Sequence, residues 1–344
     1  MVNSNKHIIN WLYAGCLLVF AMVIIGGITR LTGSGLSITE WKVITGTFPP
    51  MNELQWQEEF MKYQQSPQFQ KINSDFSIEQ FKSIYWWEYI HRLLGRLLGI
   101  VFIVPFFYFL AKKQISKQLL PKLIVIFLLG AWQGFLGWYM VKSGLLNEPY
   151  VSHYRLAIHL INAFITFGYI FWVSLDLKYG SVSNSNKNLA PILRLTLITF
   201  ILLTIQIIYG GFVAGLHAGH VYNTWPKMGD EWVASSVSAA IERTGFISFF
   251  NDISTVQFVH RTLAIIVFCF ILFMWVKRKN VNWNLNTSQK FSLNLSMGFV
   301  LMQVLLGIFT LLYNVPVWLG VVHQAGAFVI FAAAIFQIHR IAKG

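Results

Sequence analysis

Apolar residues come in long blocks, separated by short stretches that hold most of the charge. A helix needs about 20 predominantly apolar residues to cross a bilayer, and the blocks run near that length. They predict membrane helices over about 8–29, 86–110, 119–141, 154–177, 191–213, 255–276, 291–313 and 317–340. Two connections are long. The first covers 30–84 and contains Pro49-Pro50; the second covers about 214–254 and contains Tyr222-Asn-Thr-Trp-Pro-Lys-Met-Gly229. Long loops on one face usually cover a site. Within the first, Glu53 to Gln64 reads as an amphipathic helix with Leu54, Phe60 and Met61 against the membrane surface.

Composition agrees with that pattern. Of 344 residues, 56% are hydrophobic and 11% charged, against roughly 25% charged in a soluble domain. The fold class is an all-α polytopic membrane protein. The net charge of +13 raises nucleic acid as a partner, but the basic residues sit in short loops between spans, where they act as topology signals. Lys6, then Lys112, Lys113, Lys117 and Lys122, then Lys178 and Lys187, then Lys277, Arg278, Lys279 and Lys290, and finally Arg340 and Lys343 all fall on one side. The positive-inside rule makes that side cytoplasmic, with both termini inside. Cys16 and Cys269 lie inside apolar runs, so neither reads as a disulfide or a metal clip. Met1 to His7 leave no room for a transit peptide, and the first apolar run reads as a retained helix.

The chain repeats itself. Met22-Val-Ile-Ile-Gly-Gly27 matches Gln206-Ile-Ile-Tyr-Gly-Gly211, and Gln133-Gly-Phe-Leu-Gly137 matches Gln303-Val-Leu-Leu-Gly307. Tyr89-Ile-His-Arg92 matches Phe258-Val-His-Arg261, and Leu156-Ala-Ile-His-Leu160 pairs with Leu319-Gly-Val-Val-His-Gln324. Four spans thus recur as four spans in the same orientation. The expected architecture is eight transmembrane helices arranged as two pseudo-symmetric four-helix bundles, 1–180 and 181–344.

The chemistry concentrates where ionisable groups enter the apolar blocks. Asp, Lys or Arg at a helix centre costs about 2.5–3.5 kcal/mol on insertion scales, so such groups are functional candidates. Glu88, His91, Arg92 and Arg96 stand at the head of the second span. His91, His159, His260 and His323 occupy spans two, four, six and eight, each four to six residues past the predicted outer start. That is ~6–9 Å below the outer end. Two imidazoles facing each other in a bundle suit haem iron; zinc prefers three or four ligands and fits less well. Arg92 and Arg261 follow the first histidine of each half and suit haem propionates or, equally, snorkelling to headgroups. Gly95-x-x-x-Gly99 and Gly130-x-x-x-Gly134 allow close helix approach. The halves differ at one position: Glu88 precedes His91 by three residues, Gln257 precedes His260 by three. A carboxylate can take a proton or stabilise positive charge and an amide cannot, so the amino-terminal site reads as the reactive one. His7, His153, His217, His220 and His339 read as solvated or interfacial.

With these residues in view, the chain resembles the haem A synthase family in its alphaproteobacterial and mitochondrial form. The matching stretches are Gly26-Gly-Ile-Thr-Arg-Leu-Thr-Gly-Ser-Gly-Leu-Ser37, Thr39-Glu-Trp-Lys42, Gly46-Thr-Phe-Pro-Pro50, Glu88-Tyr-Ile-His-Arg92, Tyr154-Arg-Leu-Ala-Ile-His159, Tyr222-Asn-Thr-Trp-Pro226, Gln257-Phe-Val-His-Arg261 and His323-Gln324. The resemblance implies oxidation of the C8 methyl of haem O to a formyl group, giving haem A for cytochrome c oxidase. It implies that His91 and His159, with Arg92, hold the substrate haem O. It also implies that His260 and His323, with Arg261, hold a haem b, and that Glu88 is catalytic. It places the chain in a bacterial inner membrane, with the haem O-producing farnesyltransferase and oxidase assembly factors as partners. A dihaem b-type electron carrier shares the histidine pairs but leaves the single carboxylate and the longer lid unexplained. A repeat-built transporter would need broken helices at mid-membrane, for which Pro105 alone is weak support.

Overall fold

The computed structural model describes residues 2–41, 45–145, 149–180, 189–279 and 281–343; Lys42 and Lys187 lie outside them. The helices in chain order are α1 (Val2–Leu31), α2 (Glu53–Gln64), α3 (Pro67–Lys71), α4 (Ile78–Ala111), α5 (Leu120–Gly144), α6 (His153–Tyr179), α7 (Ala190–Gly215), α8 (Ser235–Thr244), α9 (Ser248–Asn251), α10 (Ile253–Val276), α11 (Thr287–Leu312) and α12 (Val317–Lys343). Eight of these, α1, α4, α5, α6, α7, α10, α11 and α12, are long and apolar enough to cross a membrane. They match the eight predicted spans, and no strand forms among the described residues beyond an isolated bridge between Met228 and Glu231.

Their ends follow local chemistry. Ser77 and Gln80 cap α4 reciprocally, and Asn286 and Gln289 do the same for α11. Asp252 accepts from the Thr255 amide at the start of α10. Proline in the first turn opens α5 and α7, where its missing N–H costs nothing.

By backbone contacts the chain divides into two compact units, Leu17–Ala163 and Met1–Cys16 with Phe164–Gly344. In Leu17–Ala163, α4 begins eight residues before the predicted span. The extra turns carry Phe81, Ile84 and Tyr85, which form an aromatic core with Trp56 and Tyr63 of α2. Trp56 meets Phe81 and Tyr85 edge-on, with ring centroids 6.4 and 5.0 Å apart. This corrects the reading of α2 at Phe60. Phe60 turns inward, 5.2 Å from Phe81, whereas Leu54 and Met61 are 67% and 54% exposed. Positions 56, 60 and 63 share one helical face, and that face packs on protein. Burial pushes the Tyr63 phenol up from its ordinary range; its hydroxyl donates to Gln68 Oε1 at 3.2 Å and accepts from Asn73 at 2.8 Å.

The expected close approach at Gly99, Gly130 and Gly134 is absent: a Cβ added there would meet nothing within 4 Å. Tight contacts fall at other glycines. A Cβ at Gly144 would sit 2.7 Å from Leu36, and one at Gly168 2.8 Å from Ile335.

In the other unit, α7, α10, α11 and α12 pack together. Between them lies a polar knot in which Gln337 accepts from Ser296 at 2.6 Å and donates to Thr196 at 3.1 Å. His339 is 0% exposed rather than interfacial. Its Nε2 lies 3.2 Å from Asp176 Oδ1, and its ring packs edge-on against Trp172. The carboxylate on α6 satisfies an imidazole that the sequence pattern leaves at a helix end.

Candidate functional site

Each unit holds one pair of histidines inside its helices. His159 lies within electrostatic range of His91, and His260 within range of His323. All four rings are partly open. His159, His260 and His323 sit six or seven residues past the first residue of their helices and His91 thirteen, because α4 starts early.

Every ring lies against a glycine of a neighbouring helix. A Cβ at Gly26 would come 3.3 Å from His91 Nε2, and one at Gly137 3.1 Å from His159 Cε1. At Gly210 and Gly307 it would come 3.4 and 2.9 Å from Cε1 of His260 and His323. Four such cradles account for Gly26, Gly137, Gly210 and Gly307 in the repeated motifs. Three also carry an amide four residues earlier. Gln133 donates to the His159 carbonyl at 3.1 Å, and Gln303 to the His323 carbonyl at 2.9 Å. Gln206 lies 3.1 Å from His260 Nδ1. Asn162 donates to Gln133 Oε1 at 2.6 Å. Sequence reasoning used these glutamines only as repeat markers and missed their contact with the histidines.

Glu88 is 3% exposed. Its Oε2 accepts from Ser37 N and Oγ at 2.7 Å each and from Ile38 N at 2.9 Å. Its Oε1 accepts from Arg92 at 2.7 Å. Arg92 also donates to the carbonyls of Ile38 and Glu40, 2.9 Å each, and its guanidinium lies 4.9 Å over the Trp41 ring. Glu88 and Arg92, one turn apart on α4, thus clamp residues 37–41 of the covering loop. Arg261 does the same in the other half, donating to the carbonyls of Tyr222, Thr224 and Lys227 at 2.6, 3.0 and 3.2 Å. Gln257 donates to Tyr222 at 3.2 Å. The arginines therefore engage loop carbonyls. The Glu88/Gln257 difference follows what each loop presents: amide N–H groups at 37–38, a carbonyl at 222.

The loop ends are set locally. Gly33 turns with φ +67, and its carbonyl accepts from Gln68 at 2.8 Å. Thr224 closes the 224–229 turn, donating to Lys227 at 2.8 Å and accepting from Gly229 N at 2.7 Å. His217 and His220 are exposed; His220 Nδ1 lies 2.9 Å from Asn314 Oδ1. Among the described residues, no three His, Cys, Asp or Glu side chains gather as a metal site. Paired imidazoles in glycine cradles, with the buried Gln206 Oε1, Gln303 Oε1 and His159 Nδ1 lacking partners, fit axial ligation of a haem iron.

Residues 9–335 match the model of the cytochrome oxidase assembly protein family. The chain belongs to that family. It is 48% identical to the "Heme A synthase" of Flavobacterium psychrophilum over 99% of this chain and 100% of that one. The "Heme A synthase" of Flavobacterium johnsoniae is 49% identical over the full length of both. That of Parvibaculum lavamentivorans is 44% identical over 99% and 96%. Family membership extends over both histidine pairs and both covering loops.

Proposed function

We propose that the chain oxidises haem O to haem A in a bacterial inner membrane, with both termini cytoplasmic. The observation that carries this is the twofold occurrence of a histidine pair in glycine cradles, on a chain similar over its full length to proteins named for that reaction. His91 and His159 hold the substrate haem O. His260 and His323 hold a haem b, which supplies one-electron transfer when bound. Two imidazoles with no third ligand among the described residues suit an iron whose other ligands come from a macrocycle.

The residues around the first pair prepare the reaction. Glu88 provides a fixed negative charge one turn from His91, which stabilises positive charge developing at the reacting methyl carbon. Its four hydrogen bonds hold that charge in place and pin residues 37–41 over the site, excluding bulk water. Arg92 keeps the loop closed and the carboxylate paired. The substrate comes from the haem O-producing farnesyltransferase, and the product goes on to cytochrome oxidase assembly.

The test is co-expression with a haem O-producing enzyme, followed by haem extraction and mass analysis. Haem A or its hydroxylated precursor is the expected product. Haem B alone, with two reversible one-electron couples and unconverted haem O, would overturn the synthase reading in favour of an electron carrier.

A further inference from the structure

Three of the four histidine cradles have the form Gln-x-x-x-Gly, with Gln133, Gln206 and Gln303 four residues before Gly137, Gly210 and Gly307. The fourth has Met22 before Gly26. Gln133 and Gln303 are common to both halves, make the same bond to a histidine carbonyl, and each also approaches a ring nitrogen, His159 Nε2 at 3.4 Å and His323 Nδ1 at 3.3 Å, so an amide stands at the second histidine of both pairs. Met22 and Gln206 distinguish the pairs. The Gln206 amide nitrogen reaches the ring of His260, 3.1 Å from Nδ1 and 3.4 Å from Nε2. Among the described residues, no hydrogen bond reaches either ring nitrogen of His91. The Met22 methyl instead lies over Gly95, 3.8 Å from where a Cβ would stand. The residue matching Gly95 in the other half is Ala264.

We infer that the Met22/Gln206 difference sets which histidine pair keeps its haem and which lets it go. The inference rests on the assignment of these histidines as haem ligands. A histidine that binds iron through Nε2 carries its proton on Nδ1 and needs an acceptor there. Gln206 has one to offer, since its Oε1 is buried without a donor. A half-turn of the amide brings that oxygen to Nδ1. An acceptor at this position fixes the ring and raises its basicity, which strengthens the bond to iron and favours the ferric state; loss of such a partner typically costs 10–100-fold in metal affinity. Met22 cannot accept in this way. The His91 ring lies against Gly26 with no amide on its nitrogens, a ligand suited to a haem that enters as substrate and leaves as product. Met22 and Gln206 are positioning residues: they act through His91 and His260.

Glutamine and methionine are close in length and volume, so exchanging them tests polarity more than shape. Met22→Gln should slow release of haem O from the His91/His159 pair about tenfold or more, followed as transfer to apomyoglobin. Gln206→Met should move the midpoint potential of the resident haem to more positive values and speed its loss. Gln206→Glu, a stronger acceptor, should move the potential the opposite way. Unchanged release in Met22→Gln, or potential shifts of the same sign in both Gln206 variants, would overturn the inference. His91→Ala and His260→Ala are assayed alongside. If neither loses a haem, the ligand assignment itself fails and the inference with it. If each loses its own haem while the exchanges do nothing, only the role of Met22 and Gln206 is wrong. Melting temperature in detergent, matched to the unaltered protein, separates these outcomes from misfolding.

Discussion

Three of the four donors to Glu88 come from two consecutive residues, Ser37 and Ile38. The side chain is therefore as much a loop anchor as a charge. Glu88→Gln puts an N–H where a donor now points and leaves Arg92 without its partner. Removing one member of a buried ion pair costs about 3–5 kcal/mol. We expect a lower melting temperature, faster proteolysis between residues 37 and 41, and at least a tenfold fall in haem A per protein. Full haem A output with a normal melt would remove both roles. The glycine cradles make a sharper contrast. Gly307→Ala drives a Cβ to 2.9 Å from the His323 ring, an overpacking strain of roughly 1–3 kcal/mol. Gly134→Ala meets open space. The first should lower haem b content and the second leave it unchanged, read from the pyridine haemochrome spectrum. Equal spectra would mean that the cradle does not position the ligand.

At the scale of elements, α2 and the first turns of α4 form one aromatic unit. Trp56 touches Phe81, Tyr85 and Trp86. Trp56→Ala should destabilise this layer by about 3–5 kcal/mol, the usual cost of emptying a large aromatic site. Limited proteolysis should then cut within 53–77 first. A pattern unchanged from the native protein would mean that α2 is held by something other than this core. The eight membrane helices were readable because long apolar blocks admit few alternatives. The true start of α4 was not, because Glu79 and Lys82 dilute its hydrophobicity; the Ser77–Gln80 capping box was the available signal. The existence of α2 was readable from its period, but not which apolar residues face protein, since a membrane surface and a neighbouring helix select the same stripe. The histidines stood out as costly groups in apolar runs. The arginines did too, but their partners are backbone carbonyls, which every residue has and no pattern marks. His339 was misread for a related reason: Asp176 lies far away in sequence, and only the packing of α6 with α12 brings them together.

For the whole molecule, the repeat predicts two haem sites that can be lost one at a time. Each unit carries its own histidine pair, glycine cradles and loop clamp, and every hydrogen bond described above for one site comes from that site's own unit. His323→Ala should therefore remove haem b while haem O still loads on His91 and His159, giving a protein that binds substrate and makes no haem A. His159→Ala should keep the haem b spectrum and its midpoint potential while retaining no haem O. Quantitative haem extraction from both variants, co-expressed with a haem O-producing enzyme, reads the two contents separately. The prediction is asymmetric in activity and symmetric in binding: both variants are inactive, each lacking a different haem. Loss of both haems from either variant would mean that the units do not fold their sites independently. Haem A formation in His323→Ala would mean that the second pair is not the route for electrons, and would leave His260 and His323 with a structural role.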